Sequence, residues 1–469
     1  MNTNAMNNES SLSLSRRQLL LSSLGGFGYT AFSALSTWAA EKEAAAAKEN
    51  ASAPKLPHFP PRAKRVIMLF MQGGVSHLDT FDYKPRLQTD HGKPLAADKP
   101  AKLLASPWKF AQHGESGQWV SELFPNVARH ADDLCVLSGL HTDAQAHETA
   151  VPMFHTGNSL QVRPSLGAWV LYGLDSECRD LPGFLAMNRL NQFGQNHGCG
   201  FLPATYQATH IRAEAQGNEP PIPNLATTHL TSQQQRAQLE LLARMNQRRL
   251  LKDSVNSELE AVIYSYEMAA KMQTRVPSLM DLSTESAATL KMYGLDGSGS
   301  SKETGFARQC LLARRFAEAG VRFIEIGTGG WDHHKDLGEL LAASAKQVDQ
   351  PIAALLADLK QRDLLKDTLV VWAGEFGRTA FAQFDNGRDH NNRGFTIWMA
   401  GGGVKSGLRH GVTDEYGREA VEGRVHIHDL HATLLHLLGL DHERLTYRYS
   451  GRDFRLTDVH GNVVKEILA

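Results

Sequence analysis

The sequence predicts an α/β fold, a three-layer α/β/α sandwich built on a mainly parallel sheet. Two observations carry this. Short apolar runs of four to seven residues end in glycine turns, and stretches with helix-spaced apolar residues lie between them. Uninterrupted apolar runs suit strands covered on both faces, and strand–helix alternation suits parallel crossovers. A third observation is positional: the polar motifs fall at the carboxyl ends of the strands, where such sheets bind ligands.

The elements follow in order. Arg65–Met71 reads as a strand before Gln72-Gly73-Gly74, and Leu134–Leu137 as a second. Val321–Ile326 is a third, running into Gly327-Thr328-Gly329-Gly330-Trp331-Asp332. Thr368–Ala373 is a fourth, before Gly374-Glu375-Phe376-Gly377, and Phe395–Ala400 a fifth, before Gly401-Gly402-Gly403. Helices are predicted over Arg308–Ala319, over Lys346–Arg362 with Pro351 as an interruption, and over His428–Leu438. The Gln-, Leu-, Glu- and Arg-rich stretch 231–292 has no strand signal and reads as a helical insertion.

The first 40 residues stand apart. Ser15-Arg16-Arg17-Gln18-Leu19-Leu20-Leu21 follows the twin-arginine pattern, and a weakly apolar stretch with Gly25, Gly26 and Gly28 comes next, too polar for a comfortable membrane span. Ala39 to Ala47 supplies small residues for cleavage. Residues 1–40 are therefore expected to be a signal, 41–61 a charged, then proline-rich linker, and 62–469 the folded domain. Such a signal implies export by the twin-arginine translocase to the periplasm or cell surface, in a folded state that is often already loaded with a cofactor.

Of 469 residues, 42% are hydrophobic, enough for a sizeable core, and the formal net charge of -1 argues against a nucleic-acid partner. The four cysteines form no CxxC pair. Cys178 and Cys199 can pair in an oxidising compartment, but buried free thiols are the preferred reading.

Four clusters can carry chemistry: Gln72 to Asp82; His141 to His147 with His155 to Asn158; Gly330 to Asp336; and Glu375 to Thr379 with Arg388 to Asn392. Taken singly, an Asp or His beside a strand end is more often a turn former or cap, and Asp79, Thr80 and Asp82 fit that role. Trp331 and Trp372 read as core, and His426, His428, His431 and His436 as structural. Asp332, Glu375 and His390 at successive strand ends are different in combination. Carboxylate and imidazole ligands suit a divalent ion, which polarises a phosphoryl or sulfuryl oxygen, and Arg378 or Arg388 can hold the anionic group.

In this order the motifs GGVSHLDTFDYKP, HETAVPMFHTGN, RPSLGAWVLYGL, CLLARRFAEAGVRFIEI, GGWDHH, GEFGRT, GRDHNN and DLHATLLHLLGLD resemble the bacterial domain-of-unknown-function family 1501, over about Arg65 to Val464. That family resembles a divergent branch of the alkaline phosphatase and sulfatase superfamily. The resemblance implies an alkaline phosphatase-like sandwich with one or two divalent ions (zinc, manganese, magnesium or calcium) at the sheet edge. Asp332 and His390 match ligand positions there, and His334 lies near the position of a further histidine. Glu375-Phe376 stands where the superfamily has an Asp-His pair: Glu375 can ligate and Phe376 cannot. Gln72 replaces a ligand Asp and is assigned to substrate binding with Arg388. The nucleophile position falls on His147, with Thr142 and Thr149 nearby, and Arg378 beside the site. No Cys-x-Pro-x-Arg stands in the chain, which disfavours a conventional sulfatase. Two function classes result: a metal-dependent hydrolase of phosphate or sulfate esters, on a small molecule or polymer, and a catalytically degenerate ligand- or partner-binding scaffold. On either, Asp332, His334, Glu375 and His390 should converge at one strand-end edge, with His147 and Arg378 close by.

Overall fold

In the strand β1 (Arg65–Met71), Ile67, Leu69 and Met71 enter one apolar layer while Val66, Met68 and Phe70 enter another. Burial on both faces is why the strand reads as an unbroken apolar run. The same division holds along β2 (Leu134–His141), β3 (Phe184–Met187), β5 (Phe323–Thr328) and β6 (Thr368–Ala373), which leave out only the short β4 (Thr209–Ile211). The computed structural model describes residues 55–96, 99–187, 196–213, 257–297 and 301–469, with isolated positions between 231 and 245. The twin-arginine segment, most of the linker and part of 231–292 lie outside the described residues.

With β7 (Phe395–Ala400), β8 (Arg409–His410) and β9 (Val425–His426), these strands form one sheet in the order β8-β2-β7-β6-β1-β5-β3-β4, with β9 also on β2. Leu69 of β1 stands between Trp372 and Ile326 in parallel register. Six of the strand pairs are parallel, and only β7 runs against its neighbours β6 and β2. The reason is local. No helix lies between β6 and β7; the connection is a hairpin, Gly377–Gln383 with Gly387–Asn391. A parallel return would need a crossover.

Helices cover both faces. α1 (His147–Thr156), α2 (Leu166–Leu174) and α6 (Ile427–Leu437) pack on the Val66/Met68/Phe70 face. α3 (Ser257–Met280), α4 (Ser301–Glu318) and α5 (Leu337–Gln361) pack on the other. The chain is thus the expected three-layer α/β fold with a mainly parallel sheet. Pro351 does not interrupt α5, which continues through it. An interior proline costs about 3 kcal/mol, and the buried row Val348, Ile352, Leu355, Leu356 and Leu359 on the sheet outweighs it. All four cysteines are unpaired, and burial pushes the Cys135 thiol up to about 12.

Candidate metal centre

Three parallel strands deliver the site. β1 ends at Gln72-Gly73, β5 leads through Gly329-Gly330 to Asp332, and β6 leads through Gly374 to Glu375. The other components come from the first residue of α1, His147, and from the hairpin, which carries His390.

The Glu375 carboxylate is fully buried. It accepts the Gly73 N–H on both oxygens, at 2.9 and 3.1 Å, and the Nδ1–H of His147 at 2.7 Å. His390 donates Nδ1–H to the backbone carbonyl of Gln145 at 2.8 Å, and Nδ1 of His334 bonds Oε1 of Gln383. In each ring an acceptor holds the proton on Nδ1, so the neutral ring has its lone pair on Nε2. All three Nε2 atoms point at one oxygen, Oδ1 of Asp332: His334 at 2.8 Å, His390 at 3.2 Å and His147 at 3.3 Å. The Nε2 atoms of His334 and His390 are themselves 3.0 Å apart.

Three lone pairs and a carboxylate oxygen facing one another repel unless a cation lies among them. Four ligands at 2.0–2.1 Å from a tetrahedral zinc would stand about 3.3 Å apart; the three contacts to Asp332 and the His334–His390 contact are 2.8 to 3.3 Å. His147, Asp332, His334 and His390 are the one group among the described residues whose ligand atoms meet such a criterion, all within 4.8 Å of one another. Acceptors behind each imidazole complete the arrangement that fixes ring orientation in metal sites. Without a metal, protons and Arg378 supply the positive charge. Burial pulls His147 down, but its bonds to Asp332 and Glu375 prevail and raise it to about 9. Burial pushes Asp332 up, and its bonds to His147, His390 and Arg378 prevail and hold it far below the usual carboxylate range.

Residues 63–468 match the family described as "Protein of unknown function (DUF1501)". The chain belongs to that family. No curated protein matches it. Among solved structures, the lipoteichoic acid synthase LtaP from Listeria monocytogenes aligns at 9% identity and a TM-score of 0.41, covering 87% of this chain and 77% of its own. The PsFucS1 sulfatase from Pseudoalteromonas sp. aligns at 13% and 0.37, covering 87% and 72%. A protein in the alkaline phosphatase superfamily from Vibrio parahaemolyticus aligns at 9% and 0.38, covering 82% and 69%.

In this DUF1501 chain the structure brings Asp332, His334, His390 and His147 to one centre and sets Glu375 one bond behind His147. Arg378 is buried beside it. It donates to the carbonyls of Gly73, Gly74 (2.8 Å) and Arg388 (3.1 Å), and to Asp332 Oδ1 at 2.5 Å. Arg388 lies elsewhere, fully buried in a two-pronged ion pair with Asp79 at 2.7 and 3.0 Å. The sequence offers Arg378 or Arg388 as a fork for an anionic group; both guanidinia are instead bound to internal partners. Phe376 is buried with its ring 5.0 Å from that of His147 and 4.5 Å from that of His390, an apolar wall. Gln72 Oε1 and Thr142 Oγ1 are buried and without a hydrogen-bond partner. Thr149 is half-buried, and its Oγ1–H donates to the Ala146 carbonyl at 2.9 Å.

Sequence reasoning missed Gln145 and Gln383, whose roles are to hold imidazoles; a backbone carbonyl and a lone glutamine leave no motif. It also read Asp79 as a turn former, whereas its partner Arg388 lies 309 positions away. The hairpin makes a sharp demand of its own. A Cβ on Gly387 would lie 1.9 Å from the His334 carbonyl oxygen. Gly387→Ala is therefore expected to displace the His334 segment and weaken metal binding at least tenfold, measured by competition with a chromophoric chelator. Unchanged affinity would show that the hairpin does not set the site.

Proposed function

We propose that the chain is a metal-dependent hydrolase of phosphate or sulfate esters that works outside the cytoplasm. The observation that carries this is the convergence of three Nδ1-anchored imidazoles on Asp332. A divalent ion held there supplies Lewis acidity and lowers the pKa of bound water. The chain's own contribution is to anchor each Nδ1–H and so aim each Nε2 at the centre, through Glu375, Gln383 and the Gln145 carbonyl. Asp332 is 44% exposed, so the centre opens to solvent on that side. Because Arg378 and Arg388 are spent on internal partners, charge complementarity to an anionic ester falls to the cation site.

A second reading has its own support. His147 rather than a hydroxyl or thiol residue opens α1, the hydroxyl of Thr149 in its first turn is engaged by the Ala146 carbonyl, and Phe376 lines the centre. A scaffold with a structural metal would look like this. Elemental analysis of the purified protein, followed by a panel of phosphate and sulfate mono- and diesters with and without chelator, separates the two. Chelator-sensitive turnover is expected; tightly held metal with no turnover of any ester would favour the scaffold, and no metal at all would end the hydrolase reading. Export by the twin-arginine translocase is part of the proposal. Replacing Arg16 and Arg17 by Lys is expected to leave the protein in the cytoplasmic fraction, and unaffected export would exclude that route.

A further inference from the structure

Six non-glycine residues among the described ones have positive φ. Asp175, Asp336, Asp363 and Asp458 are aspartates, whose short side chain can bond its own backbone there, and Ser450 is small and polar. The sixth is Phe384, at φ +51°. A bulky side chain in that region crowds the following carbonyl, and glycine is the usual occupant. Phe384 is also 75% exposed, the most exposed aromatic side chain among the described residues, and it joins none of the apolar layers. One residue thus combines a strained backbone with a solvated ring, where a glycine would avoid both.

Phe384 stands at the tip of the hairpin, between Gln383 and Gly387. Its surroundings are fixed. Asn386 Oδ1 accepts the Asp336 N–H at 2.8 Å, and the Asn386 carbonyl accepts the Leu337 N–H at 3.3 Å. Gly387 is pressed against the His334 carbonyl, and Gln383 Oε1 bonds Nδ1 of His334. Strained residues persist where their neighbours over-determine them, and they gather at functional sites.

A solvent-exposed track joins this tip to the metal centre. Asp332 is 44% exposed, and its Oδ1 meets Nε2 of His334 at 2.8 Å. The His334 side chain is 29% exposed, and its other nitrogen meets Gln383. Gln383 is half-buried, and Phe384 follows it directly, one Cα step of about 3.8 Å further on. Each member touches the next and each is reached by water. A ligand seated at Asp332 can therefore extend over His334 to the hairpin tip without crossing buried protein.

We propose that Phe384 is a specificity residue of the metal centre: its ring stacks on an apolar ring in the organic part of the ester, which makes ring-bearing phosphate or sulfate esters the preferred substrates. Offset and edge-to-face ring pairs attract beyond the area they bury. A ring carried on a fixed turn also gives up little freedom on binding. The proposal rests on the hydrolase reading for its substrate, but ligand binding is testable without turnover.

The test is calorimetric titration of the zinc-loaded full chain with methylphosphonate and with phenylbutylphosphonate, in the parent protein, Phe384→Gly and Phe384→Tyr. Both probes carry the same anionic head on a carbon–phosphorus bond, which an ester hydrolase does not cut, and the butyl chain lets the ring reach the hairpin tip. The parent is expected to bind the phenylbutyl compound at least tenfold more tightly. Phe384→Gly should remove most of that difference and Phe384→Tyr should keep it. Phe384→Gly should also leave metal content unchanged and the unfolding temperature no lower, because glycine accepts that φ and no packing is lost. Equal affinities in the parent, no binding of either probe, a difference that survives Phe384→Gly, or a fall in its unfolding temperature would overturn the assignment. Turnover of esters with no preference for a ring would overturn it too and leave the hydrolase standing. A ring preference that Phe384→Gly abolishes, without turnover of any ester, would instead overturn the hydrolase and keep Phe384 as a ligand-binding residue.

Discussion

Asp332→Asn is expected to release the divalent metal from the purified protein and to abolish the rise in unfolding temperature that added metal gives the parent. The carboxylate oxygen of Asp332 is the common point of three imidazole nitrogens, and an amide there loses the charge that holds a cation. Losing an outer partner of a metal ligand typically costs 10- to 100-fold in affinity, and losing a ligand itself should cost more. Metal that binds only the folded state stabilises it by about 2.7 kcal/mol at a hundredfold excess over Kd, and the variant should lack this increment. The pH dependence has a definite sign. The metal-free protein holds His147 at about 9, above the ordinary value of about 6.5. Its contribution to stability is therefore fully present below about pH 6.5 and is lost as pH rises through about 9. Metal needs the same nitrogen deprotonated, so affinity should climb over that window and the stabilities with and without metal should diverge. Should Asp332→Asn keep its metal, or Arg378→Ala prove more damaging while chelators do nothing, the cation at this centre is the guanidinium.

Much of the frame was legible because burial on both faces writes itself into composition. β1 and β6 appear in the sequence as unbroken apolar runs, and the glycine turns behind them and behind β5 mark where Gln72, Glu375 and Asp332 had to lie. β2 was read as Leu134–Leu137, yet it continues to His141. Ser138 and Gly139 break the apolar run. In the structure Ser138 takes a hydrogen bond from Arg409, and Gly139 is pressed against Gly423, where a Cβ would lie 2.6 Å from a carbonyl oxygen. Those partners lie about 270 residues away or more, and no local pattern encodes them. The hairpin was read as polar motifs in a loop, because its strands pack against the site rather than an apolar layer. His147 stood in a histidine-bearing cluster, but its place at the centre came forward only through the family resemblance; locally it is one histidine at the start of a helix. Its pairing with Glu375 spans 228 positions and depends on α1 and β6 meeting at the sheet edge.

That same hairpin makes the Arg388–Asp79 pair the second place where one substitution should have a large effect. Both side chains are fully buried, and the guanidinium meets the carboxylate at two points while a third nitrogen bonds the Thr379 carbonyl at 3.0 Å. Asp79 also accepts from Ser76 Oγ. Burial pushes the Asp79 carboxyl up, but the Arg388 charge and hydrogen bonds outweigh it and hold the group below its usual value. Its stabilising contribution is therefore present above about pH 3.9 and is lost as pH falls through the lowered value. Arg388→Met leaves a buried carboxylate without its cation, and breaking such a pair from one side costs about 3–5 kcal/mol. The strand that holds Arg388 also holds His390, two residues on, so the loss should reach the metal centre as weaker metal affinity. Removing both charges separates the two effects. Asp79→Leu combined with Arg388→Met should recover a large part of the stability, because buried pairs replaced by apolar groups are often neutral or better. Denaturant midpoints and metal affinity measured on the single and double variants check this. A single variant as stable as the parent, or a double variant no better than the single, would show that the pair does not hold the hairpin.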